Sequence, residues 1–203
     1  MNSIFQRIQL MFTNPRELWA QIAGEATSIN SLYLGWVVWL AAVPAVAGLL
    51  GSLWWVGRMS GMLKPYMLMG TGILVTSAIL SYVTGIALVV LLSWIIKALS
   101  PSFQCSADLV QATKTVAYAI APIWIAGVLL IIPPLGAIAI LLAAIYAVYL
   151  LYLALPQTLQ CPADKSIAFT AVIVVIALVI NFILRMIVGS LVFAGTSLST
   201  PMF

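Results

Sequence analysis

The chain has 203 residues, of which 65% are apolar and only 6% charged, and its net charge is +4. Soluble domains carry about a quarter of their residues as Asp, Glu, Lys and Arg, so this composition excludes a water-soluble globule and points to lipid as the solvent. The few charges form no basic patch with interleaved aromatics, which argues against a nucleic-acid partner. The chain has no histidine, and so lacks the commonest general base and transition-metal ligand.

The first thirty residues carry Arg7, Arg16, Glu17 and Glu25 among scattered apolar positions. No continuous apolar run of the secretory-signal kind appears there, so the first span is expected to act as its own insertion signal and to stay in the mature protein. Ile4, Phe5, Ile8, Leu10, Met11 and Phe12 predict one short amphipathic helix, with a disordered tail before Asn14 as the alternative. Asn14 before Pro15 is a helix-start signal, and Leu18, Trp19 and Ile22 continue on one face of a second helix. Both helices are expected to lie in the membrane interface, with Trp19 at headgroup depth.

A span needs about 20 apolar residues. Five stretches meet this requirement: Leu32–Val56, Tyr66–Leu99, Leu109–Ile132, Leu135–Leu155 and Ser166–Phe193. The second is long enough to be tilted, to kink near Gly85 or to run on into water. Pro133–Pro134 leaves room only for a tight hairpin between the third and fourth. The resulting fold class is an all-α membrane protein of five transmembrane helices with an N-terminal amphipathic cytoplasmic helix. Its expected division is an amphipathic segment, 1–31, and a five-helix domain, 32–203.

Lys and Arg near the span ends set the orientation. Arg7, Arg16, Lys97, Lys114 and Lys165 lie on one side, and Arg58, Lys64 and Arg185 on the other. This bias predicts a cytoplasmic N-terminus and a C-terminus on the far side.

The two cysteines sit in a repeated word, "QCSAD" at Gln104–Asp108 and "QCPAD" at Gln160–Asp164, and each copy opens a span. One reading is a helix start used twice. With cysteine as N-cap, Pro162 falls at N1 and the aspartates in the first turn, where the helix dipole favours negative charge; Ser106 is an alternative cap for the third helix. The other reading is a metal site. A thiol at a helix N-terminus has more thiolate character, and Cys105, Asp108, Cys161 and Asp164 would supply two sulfurs and two carboxylates to a soft or borderline ion. A reducing cytosol would keep both thiols free, so a disulfide is not expected.

Ionisable residues inside a span are functional candidates because they are costly there. Lys114 lies six residues past Asp108, roughly 9 Å into the third helix. It shares a face with Gln111, Tyr118 and Pro122, and Pro122 leaves the Tyr118 carbonyl without its helical partner. This face reads either as a cytoplasm-facing polar vestibule or as a lysine snorkelling to the headgroups. On the fifth helix Asn181, Arg185 and Gly189 share a face expected to point at protein; Arg185 is placed to snorkel and Asn181 to bridge helices. Tyr146, Tyr149 and Tyr152 either line a path or donate to carbonyls between helices. Ser77, Ser81 and Gly85, and Ala41, Ala45 and Gly48, read as close helix contacts. Glu25 is expected to reach Lys114 or Lys97.

Three segments carry a resemblance. "MFTNPRELWAQI" at Met11–Ile22, "AYAIAPIW" at Ala117–Trp124 and "VYLLYLALP" at Val148–Pro156 resemble motifs of bacterial Yip1-domain membrane proteins. The resemblance implies five spans, a cytoplasmic N-terminus and a bacterial inner membrane, with the C-terminus periplasmic. The eukaryotic proteins with a similar membrane domain are associated with Golgi vesicle traffic and small GTPases, and they carry a longer N-terminus with a D-L-Y-G-P stretch. This chain lacks that stretch, so the trafficking role does not carry over.

No nucleophile–base pair, phosphate-cradling glycine loop or catalytic carboxylate pair appears, and the expectation is a non-enzyme without a resident cofactor. Two function classes stand: a scaffold or adaptor whose partners are the bilayer and an unidentified protein, and a cation transporter or channel with a transition-metal ion as substrate. Transport by five spans favours a homo-oligomer, which the small-residue faces permit.

Overall fold

The computed structural model describes residues 4–58 and 70–199, and every regular element in them is helical. Two short helices come first, α1 (Ile4–Thr13) and α2 (Pro15–Gly24). Asn14 separates them, with its side chain accepting from the Glu17 amide and Pro15 at the first helical position, as the sequence predicts. α3 (Ile29–Leu32) passes through a π-helical turn, Tyr33–Val37, into α4 (Val38–Arg58). α5 (Gly70–Leu99) runs unbroken through Gly85, and a 3₁₀ turn, Ser100–Phe103, ends it. The third span is divided into α6 (Leu109–Ala119), α7 (Ala121–Ala126) and a 3₁₀ turn, Gly127–Ile131. The break falls where Pro122 has no N–H to continue the ladder. α8 (Pro133–Thr158) starts on the double proline, and α9 (Ala163–Ser199) closes the chain.

Five of these segments are long and apolar enough to cross a membrane: Ile29–Trp55, Gly72–Phe103, Leu109–Ile131, Pro133–Thr158 and Ala163–Val192. The third is the most enclosed, with 56% of its most apolar window buried, against 17% for the fifth. This difference explains the third span's polar residues. It is the central helix, and Ala112 through Ala119 are all buried by protein.

Small residues set the closest approaches. A Cβ on Gly51 would lie 2.0 Å from the Leu130 carbonyl oxygen, and one on Gly127 would lie 2.5 Å from Pro44 Cβ. Ala41 and Ala45 are buried as expected, and Gly48 faces Leu130. The serines of α5 behave differently. Ser77 and Ser81 donate to carbonyls of their own helix, Leu74 and Ala78, and Ser81 is exposed.

The N-terminal segment departs from the interfacial expectation. Met11, Leu18, Trp19 and Ile22 are almost wholly buried, Trp19 at 0% exposure. Trp19 therefore packs inside the bundle and does not face headgroups. Tyr146 donates to the Met11 carbonyl at 2.6 Å, and Phe12 stacks on the Tyr146 ring. Tyr146 lies twelve residues before the end of α8, about 18 Å along its axis, so α1 reaches well down the bundle. α2 packs chiefly against α8, with Trp19 reaching Tyr118 of the central helix, while Ile4, Phe5 and Phe12 of α1 stay exposed as an interfacial face would. Lys64, one of the far-side charges, lies outside the described residues.

Candidate functional site

The polar face of α6 and the C-terminal end of α2 form one joint. The last carbonyls of a helix have no intrahelical donor, and α2 has no basic residue in its last turn. Besides the Glu25 N–H, which reaches the Ile22 carbonyl at 3.3 Å, Lys114 supplies a donor from the central span. Its Nζ donates to the Ile22 carbonyl at 3.0 Å and also to the Glu25 carbonyl. Gln111, one turn earlier, donates from Nε2 to the Ala23 carbonyl at 3.4 Å. A cation at a helix C-terminus also meets the negative end of its dipole.

Lys114 is 2% exposed. It does not snorkel, because its hydrogen-bond acceptors lie inside the protein. The vestibule reading of this face meets the same fact: α2 and the residues after it cover the face.

Arg7 completes the joint. Its guanidinium donates to Tyr118 Oη and, at 2.7 Å, to the Glu25 carboxylate. Burial works against the Arg7 charge, but the hydrogen bonds to Glu25 and Tyr118 outweigh it and hold its pKa above the ordinary arginine range. Tyr118 stands at the centre. The Trp36 ring lies 4.5 Å from its ring, Trp19 meets it edge-on at 6.4 Å, and the Arg7 guanidinium sits 5.8 Å above it. Trp36 Nε1 donates to the Ala117 carbonyl, just before the helix break.

Glu25 therefore reaches Lys114 as anticipated, but through its backbone carbonyl, while its carboxylate pairs with Arg7. Lys97 lies over the Trp94 ring, 5.5 Å from its centroid. Sequence reasoning missed Arg7 and Trp36. Nothing local marks either one, since their partners on the central span, Tyr118 and Ala117, lie 111 and 81 residues away.

The two QCxAD turns meet, and Cys105 and Cys161 are joined in a disulfide with Cα atoms 4.3 Å apart. This overturns the expectation of free thiols. The turns also share a backbone bond, Ser106 N–H to the Leu159 carbonyl at 2.9 Å, and Phe103 stacks on Phe169 with centroids 4.5 Å apart.

Neither cysteine is an N-cap. Asp108 itself caps α6, accepting from the Gln111 amide at 2.6 Å, whereas α9 begins at Ala163 and places Asp164 in its first turn. What the two copies share lies at the other end of the word. Gln104 and Gln160 both take left-handed backbone, φ 59° and 52°, and end the preceding helix. Cys105 N–H then reaches the Ser100 carbonyl and Gln104 N–H the Pro101 carbonyl, the paired bonds of a Schellman stop. QCxAD is thus a helix stop followed by a helix start.

Among the described residues, no group of three or more Cys, Asp or Glu side chains is arranged to hold a metal ion.

The far-end polar residues are local. Arg185 Nε donates to Asn181 Oδ1 at 2.9 Å, one turn away on α9. Arg185 is exposed, and a Cβ added to Gly189 would have nothing within 4 Å. The expectation that this face points at protein fails within one chain, because the two polar groups answer each other along the helix.

The fold and joint define an all-helical, multi-pass membrane protein whose N-terminal segment is packed into its own bundle. The Yip1 domain model matches residues 8–185, a range that takes in most of that segment, the first four spans and most of the fifth, and the chain belongs to the Yip1-domain family. No curated protein and no solved structure matches it.

Proposed function

We propose that this protein is a scaffold or adaptor of a bacterial inner membrane, with a cytoplasmic N-terminus and periplasmic C-terminus. Its N-terminal segment works as a docked element of the bundle. The observation that carries this reading is the Lys114 cap on α2. The polar face that a translocation path would need is occupied by the chain's own carbonyls. The exposed remainder of the segment is what a partner would meet: Phe5 and Phe12 on α1, and Arg16 and Glu17 on α2. Such a protein turns over no substrate. It holds a surface in place at the bilayer.

The test is ion flux into liposomes holding the purified protein, beside in-cell cross-linking from positions on the outer face of α1 and α2. A scaffold gives discrete cross-linked partners and no flux above empty liposomes. Flux abolished by Lys114→Met would displace this reading.

One observation favours the second reading, transport of a small transition-metal cation. The two QCxAD turns do meet, which brings Cys105 and Cys161 together and Asp108 and Asp164 to the same end of the bundle. Thiolates bind metal and disulfide sulfurs do so poorly, so this reading requires the reduced form. Metal-ion flux seen only under reductant, and lost in Cys105→Ser/Cys161→Ser, would establish it.

A further inference from the structure

The disulfide ties the start of the central helix to the turn between α8 and α9. It is the one covalent link among the described residues that joins parts distant in sequence, 56 residues apart. Helix capping accounts for neither its position nor the effect of opening it.

Two features of the turns bear on that effect. First, both residues beside the cysteines are held in left-handed backbone although neither is glycine. For an L-residue with a Cβ this conformation carries a steric cost, and it persists where the surrounding structure over-determines it. The disulfide supplies part of that determination at both places at once. Second, the sulfurs lie shallow. Cys105 and Cys161 are 7% and 5% exposed, while Gln104, Ser106 and Gln160 around them are exposed. Attack on a sulfur therefore requires one of the turns to move.

The N-terminal joint hangs from this point. α6 begins at Leu109, four residues after Cys105. Gln111, Lys114 and Tyr118 then come over its first three turns, each with a hydrogen bond to residues 7–25. The start of α6 is thus clasped on one side by the disulfide and loaded on the other by the N-terminal segment. Besides the disulfide, the start of α6 and the α8–α9 turn are tied by the Ser106–Leu159 backbone bond, by a Thr115–Thr158 hydroxyl bond at 2.7 Å further along α6, and by the Phe103–Phe169 stack.

We propose that Cys105–Cys161 is a redox-sensitive clasp, and that its opening loosens the docking of the N-terminal segment on α6. The chemistry is thiol–disulfide exchange with a dithiol of the oxidoreductase class. A thiolate of the reductant attacks one sulfur, the S–S bond breaks, and a mixed disulfide forms. The second reductant thiol then displaces the cysteine held in that mixed disulfide. Two protons and two electrons pass from the dithiol to Cys105 and Cys161, and the reductant leaves as its own disulfide. Closing is the reverse, with the same class of partner as oxidant. The second half of the proposal rests on the docked-segment reading above, and the first half stands without it.

The experiment uses the full chain in lipid nanodiscs. Thiols are counted by maleimide–polyethylene glycol addition across a graded series of reduced and oxidised dithiothreitol. Hydrogen exchange is followed at residues 15–25 in the same samples. The expected result is no added polymer in the oxidised form and two in the reduced form, in a reversible transition. Exchange at residues 15–25 becomes several-fold faster on reduction, while the interior of α8 is unchanged. Cys105→Ser and Cys161→Ser, each alone, should show the fast exchange under all conditions.

Two free thiols at every potential would overturn the clasp itself. A reversible disulfide with unaltered exchange at residues 15–25 would overturn the coupling. Lys114→Met separates that failure from failure of the docked-segment reading, since it should quicken exchange at residues 15–25 in the oxidised form whether or not the clasp is coupled. If a serine variant does not fold, reduction of the wild-type chain supplies the same comparison.

Discussion

Lys114 of the central span caps a helix about ninety residues before it: its ammonium donates to the Ile22 carbonyl at 3.0 Å and to the carbonyl of Glu25. The lysine is buried, and its acceptors are the Ile22 carbonyl in the last turn of α2, which also takes the Glu25 N–H at 3.3 Å, and the Glu25 carbonyl just past that helix. Lys114→Met keeps the volume and removes the donor. The Glu25 carbonyl then loses the Lys114 donor and the Ile22 carbonyl keeps only the Glu25 N–H, at a cost of about 1–3 kcal/mol. Thermal unfolding in detergent should show the loss, and hydrogen exchange should place it at residues 22–25 and not along α8. An unchanged melting temperature would mean that water reaches those carbonyls.

Arg7 and Glu25 pair across the same joint, but the Glu25 side chain is 35% exposed. Screening therefore limits the pair. A double-mutant cycle with Arg7→Gln and Glu25→Gln should return a coupling energy below about 1 kcal/mol. Tyr118→Phe removes the other Arg7 contact at a buried position and should cost about 0.5–1.5 kcal/mol by itself. A cycle that gave the ion pair the larger share would show that the joint is drier in the membrane than its exposure indicates.

The repeated word gives a sharper comparison, because its two aspartates do different things. Asp108 accepts the Gln111 amide as a true N-cap, whereas Asp164 sits in the first turn of α9 with its side chain 72% exposed. Asp108→Ala should cost about 1 kcal/mol, and Asp164→Ala about 0.3 kcal/mol from the dipole alone. Differential scanning calorimetry of the two variants checks the order. Equal losses would restore the equivalence that the matching letters suggest.

The five spans were legible because an apolar run of span length has few other uses, and the Asn14–Pro15 start was legible because its signal is local. The double proline likewise predicted the hairpin before α8. What the sequence left open is tertiary. Whether two loops touch depends on how α6 and α9 pack, and no spacing between Cys105 and Cys161 encodes that. The left-handed Gln104 and Gln160 carry no signal either, since glycine or asparagine is the usual mark of such a stop. Lys114 was legible as an anomaly but not as a cap. Two readings of its charge, snorkelling or a vestibule, are sequence-equivalent until α2 is placed. Asn181 misled for the opposite reason. A polar residue in a span is expected to face protein, yet its partner is one turn away on the same helix.

Gly51 and Gly127 mark where the first and third spans touch backbone to backbone, and they yield the last prediction. A Cβ at Gly51 would meet the Leu130 carbonyl oxygen at 2.0 Å and Ile131 Cα at 3.0 Å; one at Gly127 would meet Pro44. Main chain and a proline ring cannot rotate aside as a flexible side chain can, so the helices must separate to admit even a methyl group. Gly51→Ala and Gly127→Ala should each destabilise by about 1–3 kcal/mol. Gly189 has open space where its Cβ would be. There the helix preference for alanine operates alone, and Gly189→Ala should be neutral or stabilise by up to about 1 kcal/mol. Melting temperatures of the three variants in one detergent test this ordering. A loss at Gly189 to match the other two would mean that its face of α9 is covered in the membrane, which a single chain does not do.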